Sequence, residues 1–251
     1  MKRRLGVGAR LAVIAGLIVA VGASPAAANH SWGSYHWARQ SNPFTVKLGN
    51  NLSTSAWNAA LGAASTDWSK SDVFDAPVVA GLTTGRKCRA TSGRVEVCNA
   101  SYGKNGWLGL ASIWASGSHI TQATVKLNDT YYNTSTYNTP AWRQSVTCQE
   151  VGHTFGLDHQ SEDPNVNMNT CMDYYKVPNL HPNQHDYDQL SLSYEHLDST
   201  TTLAAGAAGS GRGLKRVKDD LFVEDLGKGN KRLVWVFWKD KSVPHGAPAE
   251  G

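Results

Sequence analysis

Residues 148–159 read Cys-Gln-Glu-Val-Gly-His-Thr-Phe-Gly-Leu-Asp-His. Two imidazoles, a carboxylate and a side-chain amide fall here at spacings that suit a metal ion. On a helix, residues four apart share a face, so Gln149 and His153 can aim at one ion. Gly156 suits the left-handed turn that ends a helix, which lets His159 approach the same point from another side. Glu150, beside that face, has the chemistry of a general base for water. Cys148 is poorly placed as a ligand. At about 100° per residue it falls roughly 140° round the helix from His153, whereas residue 149 is only about 40° away.

Such a site needs a helix to carry it and a sheet to support it. Pro140 fits a first helical turn, and Trp142, Val146, Gln149 and His153 form one stripe that should stop at Gly156. An earlier stripe, Trp57, Leu61, Ala64 and Trp68, predicts a helix packed on a sheet. A third helix is expected over Asp186–Asp198, with Tyr187, Leu190, Tyr194 and Leu197 aligned. Strands are expected at Pro43–Gly49, Arg94–Asn99, Trp107–Trp114 and His119–Leu127, where alternation is clearest. Asn128–Pro140 reads as a polar loop. The result is an α+β domain over 29–199, followed by an Ala/Gly/Ser/Thr linker, 200–213, and a C-terminal extension, 214–251. In that extension Leu221–Leu226 and Leu233–Trp238 flank Gly227-Lys228-Gly229-Asn230 as a β-hairpin would. Leu-Val-Trp-Val-Phe-Trp is apolar on both faces and must be covered, either by the main domain or by a partner's sheet edge.

Composition narrows the function classes. The chain has 251 residues, 41% hydrophobic and 18% charged, which excludes a disordered tail or a polytopic membrane protein. Its net charge of +4 arises in the first ten positions, where Lys2, Arg3, Arg4 and Arg10 stand without an acid. The remaining 20 basic residues balance 20 acidic ones, so nucleic acid is not an expected partner. Lys2–Arg10, the apolar Leu11–Val21 and the small residues up to Ala28 form the pattern of an export signal, 1–28, cleaved after Ala28. The mature protein is therefore expected to be extracellular, monomeric and free of a membrane anchor. In an oxidising compartment four cysteines suggest two disulfides. Ser92-Gly93 reads as a turn between two short strands, favouring Cys88–Cys98. Cys148–Cys171 then staples the helix to the segment after it. His30 and His36 read as surface residues, and His181, His185 and His196 as caps or helix-face residues.

The run 149–159 resembles the extended motif of metzincin zinc metallopeptidases, H-E-x-x-H-x-x-G-x-x-H, at Glu150, His153, Gly156 and His159. Asn169-Thr170-Cys171-Met172-Asp173-Tyr174 resembles the methionine turn that lies beneath the metal in the matrixin and astacin branches, with Met172 as its methionine. Its Met-x-Tyr order is similar to astacins and serralysins. The resemblance implies a twisted, mostly parallel sheet with three helices, a Zn2+ cofactor and an extracellular polypeptide substrate. It further implies Glu150 as general base and Tyr174 as a hydrogen-bond donor to the developing oxyanion. By its order along the chain, Trp107–Trp114 takes the place of an edge strand that pairs with an extended peptide.

The leading histidine of the motif is Gln149 here. Catalytic zinc sites take three protein ligands from His, Glu, Asp and Cys, and a neutral amide oxygen suits harder ions better. Three readings stand open. Gln149 ligates zinc through its oxygen, beside His153 and His159. Alternatively Asp158, His119, His181 or His185 completes the site. Or the site holds no metal, and the fold serves as a binding module for extracellular protein or glycan.

Overall fold

The computed structural model describes residues 29–203, 213–243 and 245–250. The export segment and positions 204–212 of the linker lie outside the described residues. In chain order the first elements are β1 (His36–Trp37), β2 (Phe44–Thr45), β3 (Lys47–Asn51), α1 (Ser55–Trp68), β4 (Phe74–Asp75) and β5 (Val78–Ala80). There follow β6 (Arg94–Ala100), β7 (Trp107–Ser116), β8 (His119–Asn128), α2 (Asp129–Tyr132), α3 (Pro140–His153) and α4 (Gln184–Ser193). The chain ends in β9 (Lys215–Arg216), β10 (Leu221–Gly227) and β11 (Asn230–Trp238). The architecture is mixed α/β. One sheet runs β5-β3-β6-β8-β7-β11-β10-β9, with β1 beside the start of β8, while β2 and β4 pair separately. Pairings from β5 to β8 are parallel, as is β1 with β8; those from β8 onward are antiparallel.

Two capped helices cross the sheet. In α1 the Thr54 side chain accepts from Trp57 N, and Trp57, Leu61, Ala64 and Trp68 are buried along one stripe. Its tryptophans also reach outward for polar partners. Trp57 Nε1 donates to Asp129 Oδ1 at 2.8 Å, and Trp68 Nε1 to Cys148 O at 3.0 Å. The second bond ties α1 to α3, whose own start is set by Thr139 as N-cap and Pro140 in the first turn.

Several local expectations change. Asn128–Pro140 is not all loop: Asn128 accepts from Thr130 N and caps the single turn α2. The third helix starts two residues earlier than expected, at a capping box between Asn183 and Asp186, and stops at Ser193. Tyr194 leaves it with φ −117°, and its buried hydroxyl accepts from Trp37 N at 3.1 Å and donates to Phe155 O at 3.0 Å. Leu197 consequently lies beyond the helix, 57% exposed. No strand precedes Ser92 across the turn, so the Cys88–Cys98 disulfide joins a loop to β6. The second disulfide is Cys148–Cys171. His30 and His36 are buried, not superficial.

The extension folds back onto this same chain. Lys228 and Gly229 have φ of 53° and 78°, as a tight primed turn between antiparallel strands requires. β11 lies antiparallel along β7, from Asn230 opposite Ser116 to Trp238 opposite Trp107. Alternation now accounts for the doubly apolar run. Leu233, Trp235 and Phe237 enter the main core, while Val234, Val236 and Trp238 join Trp107, Leu110 and Phe222 in a second cluster. Each buried side chain of this size contributes roughly 1.5–3 kcal/mol before entropy is counted.

Candidate metal centre

Helix α3 is buried from Ser145 to His153, and two glycines let neighbours approach it. A Cβ on Gly109 of β7 would stand 2.6 Å from Glu150 Oε1 and from Val146 Cγ1. A Cβ on Gly152 would stand 2.5 Å from Met172 Sδ, so Met172 packs directly against the helix backbone. The Cys148–Cys171 bond holds the methionine turn in that position. Past the helix, Gly156 has φ +93°, and a Cβ there would lie 2.1 Å from Tyr35 O. Only glycine fits, and the bend it makes returns His159 toward α3.

His153 Nε2 and His159 Nε2 stand 2.9 Å apart. His153 Nδ1 donates to Leu157 O at 2.8 Å, because a carbonyl can only accept. His159 Nδ1 lies 3.2 Å from Asp220 Oδ2 and 3.7 Å from Asp158 Oδ1. The proton on His153 Nδ1 leaves its Nε2 unprotonated and facing His159 Nε2, while His159 Nδ1 has no hydrogen-bond partner of its own. Burial first, and then the neighbouring His159, push the His153 imidazole down to about 3, so it is neutral. Gln149 Nε2 donates to Asp173 O at 2.9 Å, which fixes the amide and leaves Oε1 buried without a partner. Both Glu150 oxygens are likewise buried and unpartnered. Burial raises the Glu150 carboxyl well above its ordinary range, opposed by nearby backbone at Ala111.

This donor set fits a divalent cation. Two ring nitrogens 2.9 Å apart, an orphaned amide oxygen one helical turn away and an unpartnered carboxyl group are costly to bury with nothing between them. His153, His159 and Gln149 are the residues that would hold the ion.

The other proposed ligands go elsewhere. His119 contacts Asp198, His181 Nδ1 pairs with Asp67 at 2.6 Å, and His185 stacks on His30. Asp158 stays near His159, but its Oδ2 is held by Lys218 Nζ at 2.6 Å. Tyr174 places its ring 4.3 Å from that of His159, and its hydroxyl donates to Val236 O at 2.8 Å.

β7 is not a free edge, contrary to expectation. β8 pairs with one flank and β11 with the other. The same extension fills the cleft. Trp235 stacks on His153 with 9° between the rings, and Lys241 lies over Tyr174. Burial alone would raise the Asp220 carboxyl, but His159 and Lys241 hold it well below the ordinary carboxylate range. The sequence signals the apolar strand but not its destination, and Asp220 carries no motif.

No protein-family model matches the chain, and no curated protein matches it. Among solved structures, myroilysin aligns over 62% of this chain and 82% of its own, at 12% identity and a TM-score of 0.37. High choriolytic enzyme 1, a hatching-enzyme zinc protease from Oryzias latipes (medaka), aligns over 65% and 96%, at 12% identity and a TM-score of 0.35. A second myroilysin structure aligns over 69% and 97%, at 12% identity and a TM-score of 0.36. These values are too low to carry an inference about this chain. Among the described residues, no helix is long and apolar enough to cross a membrane.

Proposed function

We propose that the chain is a secreted zinc-dependent endopeptidase, closed in this conformation by its own residues 213–243. The observation that carries the reading is the pair of facing His153 and His159 nitrogens, 2.9 Å apart, with Gln149 Oε1 and the Glu150 carboxylate left unpartnered around them. A bound Zn2+ would supply Lewis acidity toward a peptide carbonyl and toward water. Glu150 takes the proton from the attacking water and returns it to the leaving nitrogen. Tyr174 donates its hydroxyl hydrogen to the oxygen that gains negative charge. It already donates to a peptide carbonyl, that of Val236, so β11 stands where an extended substrate would lie on β7.

The closed cleft also favours a second reading, in which β11 never leaves and the fold is a binding scaffold. One experiment separates the two. A specific protease site is placed within 204–212 and the purified full chain is cut there, with Glu150→Gln in parallel. Peptide hydrolysis that appears on cutting, is lost with a chelator and is absent in Glu150→Gln supports the peptidase. A folded, zinc-loaded, cut chain that hydrolyses no peptide library selects the scaffold.

A further inference from the structure

A second group of histidines lies outside the site just described and shares no residue with it. His36 is on β1, His119 opens β8, and His196 and Asp198 follow α4. His36 Nε2 is 3.3 Å and His119 Nε2 3.2 Å from Asp198 Oδ1. His196 Nε2 is 3.3 Å from His36 Nε2 and 3.7 Å from Asp198 Oδ1. Four donors around a tetrahedral zinc, each about 2.0–2.1 Å from it, stand roughly 3.3 Å from one another. The rings meet edge-to-face, His36 with His119 at 79° and His36 with His196 at 84°, so nitrogens converge where stacked rings would turn them aside.

The protons agree with the spacing. His36 Nδ1 contacts Ser34 O at 2.6 Å, and a carbonyl only accepts, so Nδ1 carries the hydrogen. Nε2 then faces Asp198 Oδ1 and His196 Nε2, an arrangement that needs a proton or a metal cation between the atoms. Asp198 is oriented in the same sense. Its Oδ2 accepts from Arg39 Nη1 at 2.8 Å and from Arg39 N at 3.2 Å, which leaves Oδ1 for the histidines. Arg39 is itself buried and also donates to the carbonyls of Tyr194 and His196. Outer groups that fix a ligand's tautomer and a carboxylate's rotation are the usual support of a metal site.

We infer that His36, His119 and Asp198 bind one zinc ion or a similar borderline divalent cation, with His196 beside them at the mouth of the site. Imidazole and carboxylate donors in a tetrahedron suit Zn2+ and Co2+ better than Ca2+ or Mg2+. Its role is to fasten chain segments. Next to His36, Trp37 Nε1 donates to Thr154 O at 2.9 Å, and Tyr194 O–H donates to Phe155 O. A metal joining β1, β8 and the segment after α4 therefore braces the end of α3. The inference stands apart from the peptidase reading.

The test is cobalt(II) titration of the metal-stripped full chain, followed by visible absorption and by elemental analysis after dialysis. The chains compared are unsubstituted, His119→Ala/His196→Ala, and His153→Ala/His159→Ala. His119 and His196 are 35% and 50% exposed, so their replacement leaves the core intact, and circular dichroism checks this. His119→Gln, which keeps side-chain bulk, is the second variant. The expected result is one metal equivalent fewer in His119→Ala/His196→Ala than in the unsubstituted chain. The His153→Ala/His159→Ala chain should keep a tetrahedral cobalt spectrum and a zinc-dependent rise in melting temperature. Equal uptake in the unsubstituted and His119/His196 chains, or no uptake by the unsubstituted chain, overturns the inference and leaves a proton-shared histidine–aspartate network.

Discussion

The two histidine groups are built in opposite ways. His153 and His159 come from one helix and the turn after it, within a short stretch of chain, and lie sealed beneath Trp235 and Asp220. His36, His119 and Asp198 come from three segments far apart in sequence, and the group opens to solvent through His119 and His196. The first is a local motif that the fold covers; the second exists only once the fold has formed. Substitutions should therefore act on chemistry at the first group and on the fastening of segments at the second.

The largest separation is expected from Glu150→Gln in the cut chain. Losing a general base should reduce hydrolysis by about 10²–10⁴-fold, with metal content unchanged. Steady-state kinetics beside elemental analysis gives the answer, and a variant with undiminished turnover would remove Glu150 from the mechanism.

The cover on the first group supplies the next test. Trp235 is fully buried, stacks on His153 and lies edge-on to Trp32 at 6.4 Å. Trp235→Ala should cost about 3–5 kcal/mol in urea unfolding, as other buried tryptophan truncations do. It should also let a chelator strip metal faster from the uncut chain. A variant equally destabilised but no faster to lose metal would mean that the cover does not control access.

Gly156→Ala acts at the bend between the two histidines. Its φ of +93° and the 2.1 Å approach to Tyr35 O together predict a cost of about 3 kcal/mol or more. Gly62 offers the control, since no atom lies within 4 Å of its added Cβ. In α1, Gly62→Ala should instead stabilise by about 0.5–1 kcal/mol. Thermal melts of both proteins check the opposite signs, and a loss of equal size at Gly62 would undo the positional argument.

The contrast between the two groups also governs what could be read from the amino acids. α3 announces itself at both ends, through Pro140 and through Gly156, because first-turn and left-handed positions are set by local residue type. The stripe Trp57-Leu61-Ala64-Trp68 was equally plain, since one buried face at helical spacing has few other uses. The end of α4 was not. Tyr194 fits the helical stripe, yet its hydroxyl finds better partners on Trp37 and Phe155 outside the helix. β11 showed that it must be buried but not where, because apolar area has no direction and its pairing with β7 spans more than a hundred residues. Asp220 and Asp198 carried no local signal, and each gains its histidine partners only through chain closure.

Arg39 offers the smallest and most selective test of the difference. Nothing in the first group touches it, while in the second it holds Asp198 Oδ2 and the carbonyls of Tyr194 and His196. It is almost wholly buried, and its Nε also donates to Asn42 Oδ1 at 3.3 Å. Arg39→Lys keeps the charge but loses the planar fork that serves several acceptors at once. Disturbing an outer support of this kind typically lowers metal affinity by about 10–100-fold. Cobalt titration should then show one weakened site and one unchanged site. An equal loss at both would make Arg39 a general prop of the fold, because a positioning residue for Asp198 has no route to His153 and His159 except through the end of α3.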